Sequence, residues 1–370
     1  MHRKIVFHII SHLDVGGAER VAINIAESPT EGIAYHVVEL IRAHSDFTDV
    51  LIKELRDHNI TYHRGWIPEI HFHYLFERLA ALTFPLWFLW LFLKYKPQVL
   101  HSHTEMPDLS IYCFFRLFPW ALKRCKIVRT IHNTRLWTGM QRTGQRIEAF
   151  FIRQNANIAI SEAVKSNYQE HYHDSPPIIY NGVAPVKQQP YSQLKAGKIN
   201  ILFAGRFEEQ KGIDTLIEII KSQKDSAIYH FHVIGGGSLA SLLTAELAGF
   251  TQVSICEPLF NLASYLASFD FLLMPSRHEG LSILALEANF NGLPAIINAC
   301  PGLHETLPND WPLRVEHNDL NTYLHLFNDV LPVINRHEIQ SIARQFAEKH
   351  FSMCSMREGY ERLYAQAFKA

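Results

Sequence analysis

The sequence predicts an α/β protein made of two domains, each a doubly wound parallel sheet. Three observations carry this. Short, β-branched strand patterns alternate with longer helical ones along the whole chain. The alternation breaks once, at a stretch rich in Pro, Gln and Lys, and then restarts. At 370 residues the chain exceeds one ordinary core and suits two domains of roughly 150 to 200 residues each. Alternating strands and helices put a parallel sheet inside each domain with helices on both faces.

In order, the first half offers strands in "KIVFHII", "YHVVELI", "QVLHSH", "KIVRTIH" and "NIAIS". "APVKQQPYSQLKAGK" interrupts, and the second half follows with "INILFAG", "IYHFHVIG", "VSIC", "DFLLMP" and "PAIINA". The expected division is residues 1–185 for the first domain, 186–198 for a linker and 199–350 for the second domain. Residues 351–370 form a final helix. Its Met356, Tyr360, Leu363, Tyr364 and Phe368 are spaced to cover one face, which is expected to pack back toward the first domain. Open parallel sheets bind ligands outside the carboxyl ends of their strands, so two facing sheets are expected to make a cleft walled by strand-to-helix loops.

Composition narrows the class. Hydrophobic residues make up 48% and charged residues 19%, with a net charge of -1, which suits a soluble globular protein and excludes a strongly basic nucleic-acid binder. Five scattered cysteines with no C-x-x-C argue against a disulfide framework or a zinc knuckle and for a reducing cytoplasm. The N-terminus runs straight into a strand pattern, too short an apolar run for a signal peptide. "LAALTFPLWFLWLFL" (79–93) would span about 22 Å as a helix, short of the ~30 Å hydrocarbon core. It reads as a buried core helix or as an element lying in a membrane interface. Just beyond it, residues 116–153 carry Arg116, Lys123, Arg124, Lys126, Arg129, Arg135, Arg142, Arg146 and Arg153 against one acid, Glu148, beside the aromatic run "IYCFFRLFPWAL". Basic and apolar groups so close together suggest peripheral membrane contact; a phosphate-binding wall beside a buried helix is the other reading.

The chemistry is expected in loops that follow strands. Gly16 and Gly17 follow the first strand and open a helix, as a tight turn or as a close approach to a ligand. In "FAGRFEEQKG", Arg206 ends a strand and Lys211 stands five residues on, a pairing suited to clamping phosphate. Gly235, Gly236 and Gly237 follow another strand, to wrap a nucleobase or phosphate or simply to turn. "RHEGLSILALEANFNG" then sets Glu279 ahead of a helix and Glu287 inside its apolar stripe. A buried carboxylate costs several kcal/mol unless something polar meets it. The helix, starting near Ser282, would turn Ile283, Leu286 and Phe290 to the sheet and Glu287 to the cleft, with free N–H groups at Leu281 and Ser282. Histidines number 22, with H-x-H at 71–73, 101–103 and 171–173; on a strand that spacing puts both rings on one face, as a metal site requires, but no cysteine or carboxylate cluster accompanies it.

"PSRHEGLSILALEANFNGLPAII" resembles the E-x7-E signature of retaining GT-B glycosyltransferases of the large nucleotide-sugar-dependent family, family 4-like. "GGAER", "HSH", "TIHN", "SEAV", "NGV", "GRFEEQKG" and "IGGG" are similar to that family's other marks, in the same order, across nearly the whole chain. "EGLS" replaces the commoner Glu-Gly-Phe-Gly, "NGVA" lacks the usual acid after Val183, and Pro301 stands where a paired glycine is usual, departures that bear on the donor sugar. The resemblance implies two Rossmann-like domains and sugar transfer from a nucleotide diphosphate sugar to an acceptor hydroxyl on a carbohydrate or lipid-linked partner, with retention. It implies that Glu279 faces the donor sugar and that Glu287 takes the ribose hydroxyls. Arg206 and Lys211 would stabilise the leaving diphosphate, Gly16, Gly17, Gly235, Gly237, Leu281 and Ser282 would line the donor, and His132, His103 and Asn133 would line the sugar or acceptor side. The same scaffold also serves epimerases and phosphorylases, and a non-catalytic nucleotide-sugar sensor is the rival of another class. No Asp-x-Asp occurs in the chain, so no metal and no cofactor are expected.

Overall fold

Among the described residues every strand runs parallel to its neighbours, in two six-stranded sheets whose order reverses once in each. The structure, a computed structural model, describes residues 3–14, 16–28, 30–69 and 73–369. The strands are β1 (Lys4–Ile10), β2 (Ile33–Arg42), β3 (Thr61–Pro68), β4 (Val99–His103), β5 (Lys126–Ile131), β6 (Asn157–Ala159), β7 (Ile199–Arg206), β8 (Tyr229–Gly236), β9 (Val253–Cys256), β10 (Phe271–Met274), β11 (Ala295–Asn298) and β12 (Arg314–Val315). The helices are α1 (Gly17–Ala26), α2 (Asp46–Asp57), α3 (His73–Tyr95), α4 (Glu105–Leu117), α5 (Gln141–Arg153), α6 (Glu162–Tyr172), α7 (Ile213–Ser222), α8 (Ala240–Glu246), α9 (Ile283–Phe290), α10 (Leu320–His325), α11 (Arg336–His350) and α12 (Met353–Lys369).

The chain divides into two compact units: residues 1–182 with 353–370, and residues 183–352. Unit one holds the sheet β3-β2-β1-β4-β5-β6, and unit two the sheet β12-β11-β10-β7-β8-β9. The central strands are buried on both faces, as strands covered by helices on each side must be. Phe7, Ile9, Val99 and Leu100 are buried in unit one, and Ile201, Leu202, Phe271 and Leu272 in unit two.

The stretch expected as a linker, 186–198, is instead packed onto unit two. The Val186 N–H donates to Asn291 Oδ1 (3.0 Å), Gln188 Nε2 donates to the Ala263 carbonyl (2.9 Å) and the Gln189 N–H to the Ser264 carbonyl (2.7 Å). A composition that reads as linker supplies amides here, and they satisfy loop backbone. The chain passes between units at 182/183 and 352/353.

α12 belongs to unit one. Met356, Tyr360 and Tyr364 are buried. The Tyr364 hydroxyl lies 2.6 Å from His101 Nδ1 and the Tyr360 hydroxyl 2.8 Å from Thr130 Oγ1, so the helix is tied to β4 and β5 by hydrogen bonds as well as packing. Arg357 adds a bond to the Asn24 carbonyl of α1 (2.7 Å).

The basic run 116–153 is not one surface. Arg129 is buried. Its Nε donates to Asp108 (2.6 Å) on α4, and its Nη1 and Nη2 donate to Glu148 (2.6 and 2.7 Å) on α5. Two carboxylates out of water around one guanidinium explain why Arg129 sits in the core: each offsets the other's desolvation. α3 is also only half what a core helix would be. Ala80, Ala81, Phe84, Phe88 and Phe92 are buried against the sheet and α4, while the outer side stays exposed. Among the described residues no helix is long and apolar enough to cross a membrane.

Candidate functional site

In a parallel sheet the crevice for a ligand opens where neighbouring strands send their helices to opposite faces. In unit two this point lies between β7 and β10. β7 ends at Arg206, and one short turn over Glu209–Lys211 leads to Gly212 at the start of α7. Gly212 has φ +69°, and a Cβ there would lie 2.1 Å from the Pro275 carbonyl oxygen. Only glycine allows that contact, and it presses the loop after β7 against the loop after β10. The result is an ion pair between Lys211 Nζ and Glu279 Oε1 at 2.7 Å, with both side chains largely out of water. The sequence offers the two as separate groups; the fold makes them one.

Around this pair the loops are braced. The Glu279 N–H donates to the Pro301 carbonyl (3.0 Å), and Arg277 donates to Glu209 (2.8 Å) and to Asp214. Ser282 caps α9, its hydroxyl accepting from the Ala285 N–H at 3.4 Å, and Leu281 is buried just ahead of it. The positive end of α9 therefore points out from the same loop that carries Glu279. On α9, Leu286 and Phe290 are buried as expected, but Ile283 is only half-buried, because the first turn stands at the loop rather than over the sheet. Glu287 is half-buried one turn further on.

Arg206 is exposed. Beside it Glu208 accepts from the Ser238 N–H (2.9 Å) and hydroxyl (2.6 Å), and these bonds hold its carboxyl below the usual range. They also fasten the glycine loop after β8 to the loop after β7. A Cβ on Gly235 would lie 1.9 Å from the Gly205 carbonyl oxygen, and one on Gly237 2.8 Å from the Phe207 nitrogen. Both glycines thus have a packing reason in the fold itself.

In unit one the reversal lies between β1 and β4. Gly16, in extended backbone at φ -165°, needs no special conformation, and Gly17 opens α1. The ring side chains are more telling. β1 pairs with β4 so that His8 stands opposite His101, and His103 follows two residues on, on the same face. All three are buried. His8 Nδ1 lies 3.0 Å from His103 Nε2, and His103 Nδ1 lies 3.2 Å from His132 Nε2, just past β5. Burial pushes His8 and His132 down to about 3 and takes His103 well below its ordinary value, so the chain of rings is neutral. Thr104, next after His103, has φ +95°, an uncommon conformation for a β-branched residue, held by a 2.9 Å bond to Ser11 across from β1. Asn133 follows His132 in a turn and accepts weakly from the Arg135 N–H (3.4 Å).

His8 was not singled out by the sequence. Its signal exists only once β1 and β4 are known to be neighbours. Nitrogens of His8, His101 and His103 lie within 4.8 Å of one another, a spacing open to a metal. Yet His101 is already bonded on both sides, to Tyr364 (2.6 Å) and Thr130 (2.7 Å), and His8 and His103 are bonded to each other. A cation would have to break that network. His171 lies in the last turn of α6 and His173 caps its end, so neither stands on a strand, and the 71–73 side chains fall outside the described residues.

Comparison with known proteins gives these features a setting. Residues 15–187 match the family model described as Glycosyltransferase Family 4, and residues 198–325 that described as Glycosyl transferases group 1. An uncharacterized 41.2 kDa protein from the cps region of Klebsiella pneumoniae is 26% identical over 298 residues, 74% of this chain and 80% of its own. An uncharacterized glycosyltransferase of Methanocaldococcus jannaschii is 29% identical over 219 residues, 56% of this chain and 59% of its own. Among solved structures, Anabaena HepE in complex with UDP and glucose has the same fold, with a TM-score of 0.75 at 17% identity over 98% of this chain and 100% of that one. The fold is that of GT-B glycosyltransferases.

Proposed function

From the pairing of a Family 4 domain with a group 1 glycosyltransferase domain, we propose that this protein moves a sugar from a nucleoside diphosphate sugar to an acceptor hydroxyl, with retention at the anomeric carbon. The single observation that supports this best is the Lys211–Glu279 pair beside the start of α9, where a cation, a carboxylate and helix N–H groups converge at the mouth of one sheet. HepE's complexes with UDP and UDP-glucose favour a uridine donor. The step breaks the bond between the anomeric carbon and the diphosphate oxygen and forms one to the acceptor oxygen on the same face. The acceptor proton passes to the departing phosphate. Arg206, Lys211 and the α9 N-terminus stabilise the charge that develops there, so catalysis is mainly positioning and electrostatics. Glu287 takes the ribose hydroxyls, Glu279 orients the sugar as well as Lys211, and His132 with His103 behind it meets the sugar or the acceptor.

The cps-region relative favours a role in surface polysaccharide or glycolipid assembly; a carbohydrate or lipid-linked acceptor at the inner face of the cell membrane is part of the proposal. With cations and helix N-termini at the phosphates and no Asp-x-Asp in the chain, transfer requires no divalent metal. The test is release of nucleoside diphosphate by purified protein across a panel of donors, with excess EDTA in one arm. Release that persists in EDTA and yields a product of unchanged anomeric configuration is expected. Inversion, or abolition by EDTA with rescue by Mg²⁺ or Mn²⁺, overturns the corresponding part. Absence of turnover with a tightly bound donor would favour a sensor.

A further inference from the structure

The outer side of α3 is an uncovered apolar strip. Leu79, Leu82, Leu86, Trp90 and Leu93 recur at helical spacing within a narrow arc, over about 21 Å of helix, and each is between 43% and 64% exposed. The one polar side chain beside them, Thr83, turns its hydroxyl back to the Leu79 carbonyl (2.8 Å), leaving its methyl outward. Scattered exposed apolar side chains need no account, but four leucines and a tryptophan aligned on one helix do.

The charges around the strip are mostly basic. From residue 78 to residue 96 no acid occurs, and the ends carry Arg78, with Glu77 one position before it, on one side and Lys94 and Lys96 on the other. The Lys94 ammonium lies 4.6 Å over the Trp90 ring, which places an aromatic and a cation together as they stand at a membrane–water boundary. Past the C-terminal end of α3, Phe92 packs on Trp120 (5.9 Å), Arg124 lies over Trp120, and Leu117, Trp120, Arg116, Lys123 and Arg124 are exposed. At the other end Arg78 and Arg142 line an open cavity of about 570 Å³.

We infer that the outer face of α3 lies on the surface of an anionic bilayer, its leucines and Trp90 among the acyl chains and its flanking cations among lipid phosphates. A second copy of the chain is a poor occupant. Two α3 strips laid together would bring three flanking cations from each chain, Arg78, Lys94 and Lys96, against a single acid from each, Glu77. An anionic lipid surface answers both the apolar and the charged part of the face. The inference extends the reading of a membrane-proximal acceptor, but vesicle binding can be measured without any sugar transfer.

The probe is flotation with vesicles of phosphatidylcholine alone and of phosphatidylcholine with about one-quarter phosphatidylglycerol, on the intact protein. Binding to the anionic vesicles only, weakening as salt rises past the screening range, is expected. Leu82→Ser, Leu86→Ser and Trp90→Ser together should lower the partition coefficient roughly tenfold or more with unchanged melting, since these side chains contact little protein. Arg78→Glu with Lys94→Glu should do the same while keeping the apolar strip. Wild-type protein that ignores anionic vesicles, serine variants that bind as well as wild type, or a concentration-dependent dimer abolished by the serine changes would overturn the docking. Failure of sugar transfer with vesicle binding intact would count against the proposed function alone.

Discussion

At the scale of single residues, the hydrogen-bonded rings of unit one carry a direction. His8 Nε2 is buried with no partner, whereas His132 Nδ1 has no hydrogen-bond partner among the described residues and sits on a half-buried ring. A buried N–H without an acceptor is rarer and costlier than a bare acceptor nitrogen. The network therefore assigns the proton of His8 to Nδ1, that of His103 to Nδ1 and that of His132 to Nδ1, so His132 offers an N–H outward. In ¹⁵N spectra of histidine-labelled protein His132 should be the Nδ1–H tautomer, and His8→Phe should let it change; an Nε2–H signal in the native protein sinks the assignment. Since desolvation lowers His132 from its ordinary value, this ring should give turnover no inflection at the usual histidine value of about 6.5. At the other sheet, Lys211→Met and Glu279→Gln should each cost turnover by about 10²- to 10³-fold, and the double variant little more than either, because the two act as one pair. Additive losses would mean that they work apart.

Among elements, the Arg129 triad fixes β5 to α4 and α5. Removing the guanidinium strands two carboxylates in the core, so Arg129→Met should destabilise unit one by about 3–5 kcal/mol, read as a shift in its urea transition. A shift below 1 kcal/mol would mean that the triad is loosely packed or wet. Nothing in the sequence separates this arginine from the surface cations around it, since its partners lie 21 and 19 positions away. The strands and the loops after them were legible for the opposite reason: period and turn chemistry are local. So was the apolar run of α3. Its exposed face was not, because fifteen uncharged residues carry no contrast between one side and the other. The Lys211–Glu279 contact spans 68 positions and becomes visible only when β7 and β10 are neighbours. The docking of 186–198 was not legible, because glutamines suit a solvated chain and a docked one equally.

Across the whole molecule, the histidines make stability depend on pH. His8, His101 and His103 are fully buried and held below their ordinary value, chiefly by desolvation. In that state the folded chain binds fewer protons than the unfolded one, so their contribution is complete above about pH 6.5 and falls away as pH drops toward 3. Each fully shifted ring gives a slope of up to about 1.4 kcal/mol per pH unit. The melting temperature should hold steady from pH 8 to 7 and decline steeply below 6; a flat profile to pH 4.5 would show these rings to be solvated.

The double passage of the chain between units has a consequence for synthesis. Unit one is begun first and finished last: α12, which supplies the hydroxyls that His101 and Thr130 bond, follows the whole of residues 183–352. At ordinary translation rates that interval is on the order of ten to thirty seconds. During it the first sheet waits with its seat for α12 open, while unit two has everything it needs to close. The nascent N-terminal half is therefore the natural client of a chaperone, and a lesion in residues 353–369 should be felt as misfolding of the part of the protein that left the ribosome earliest.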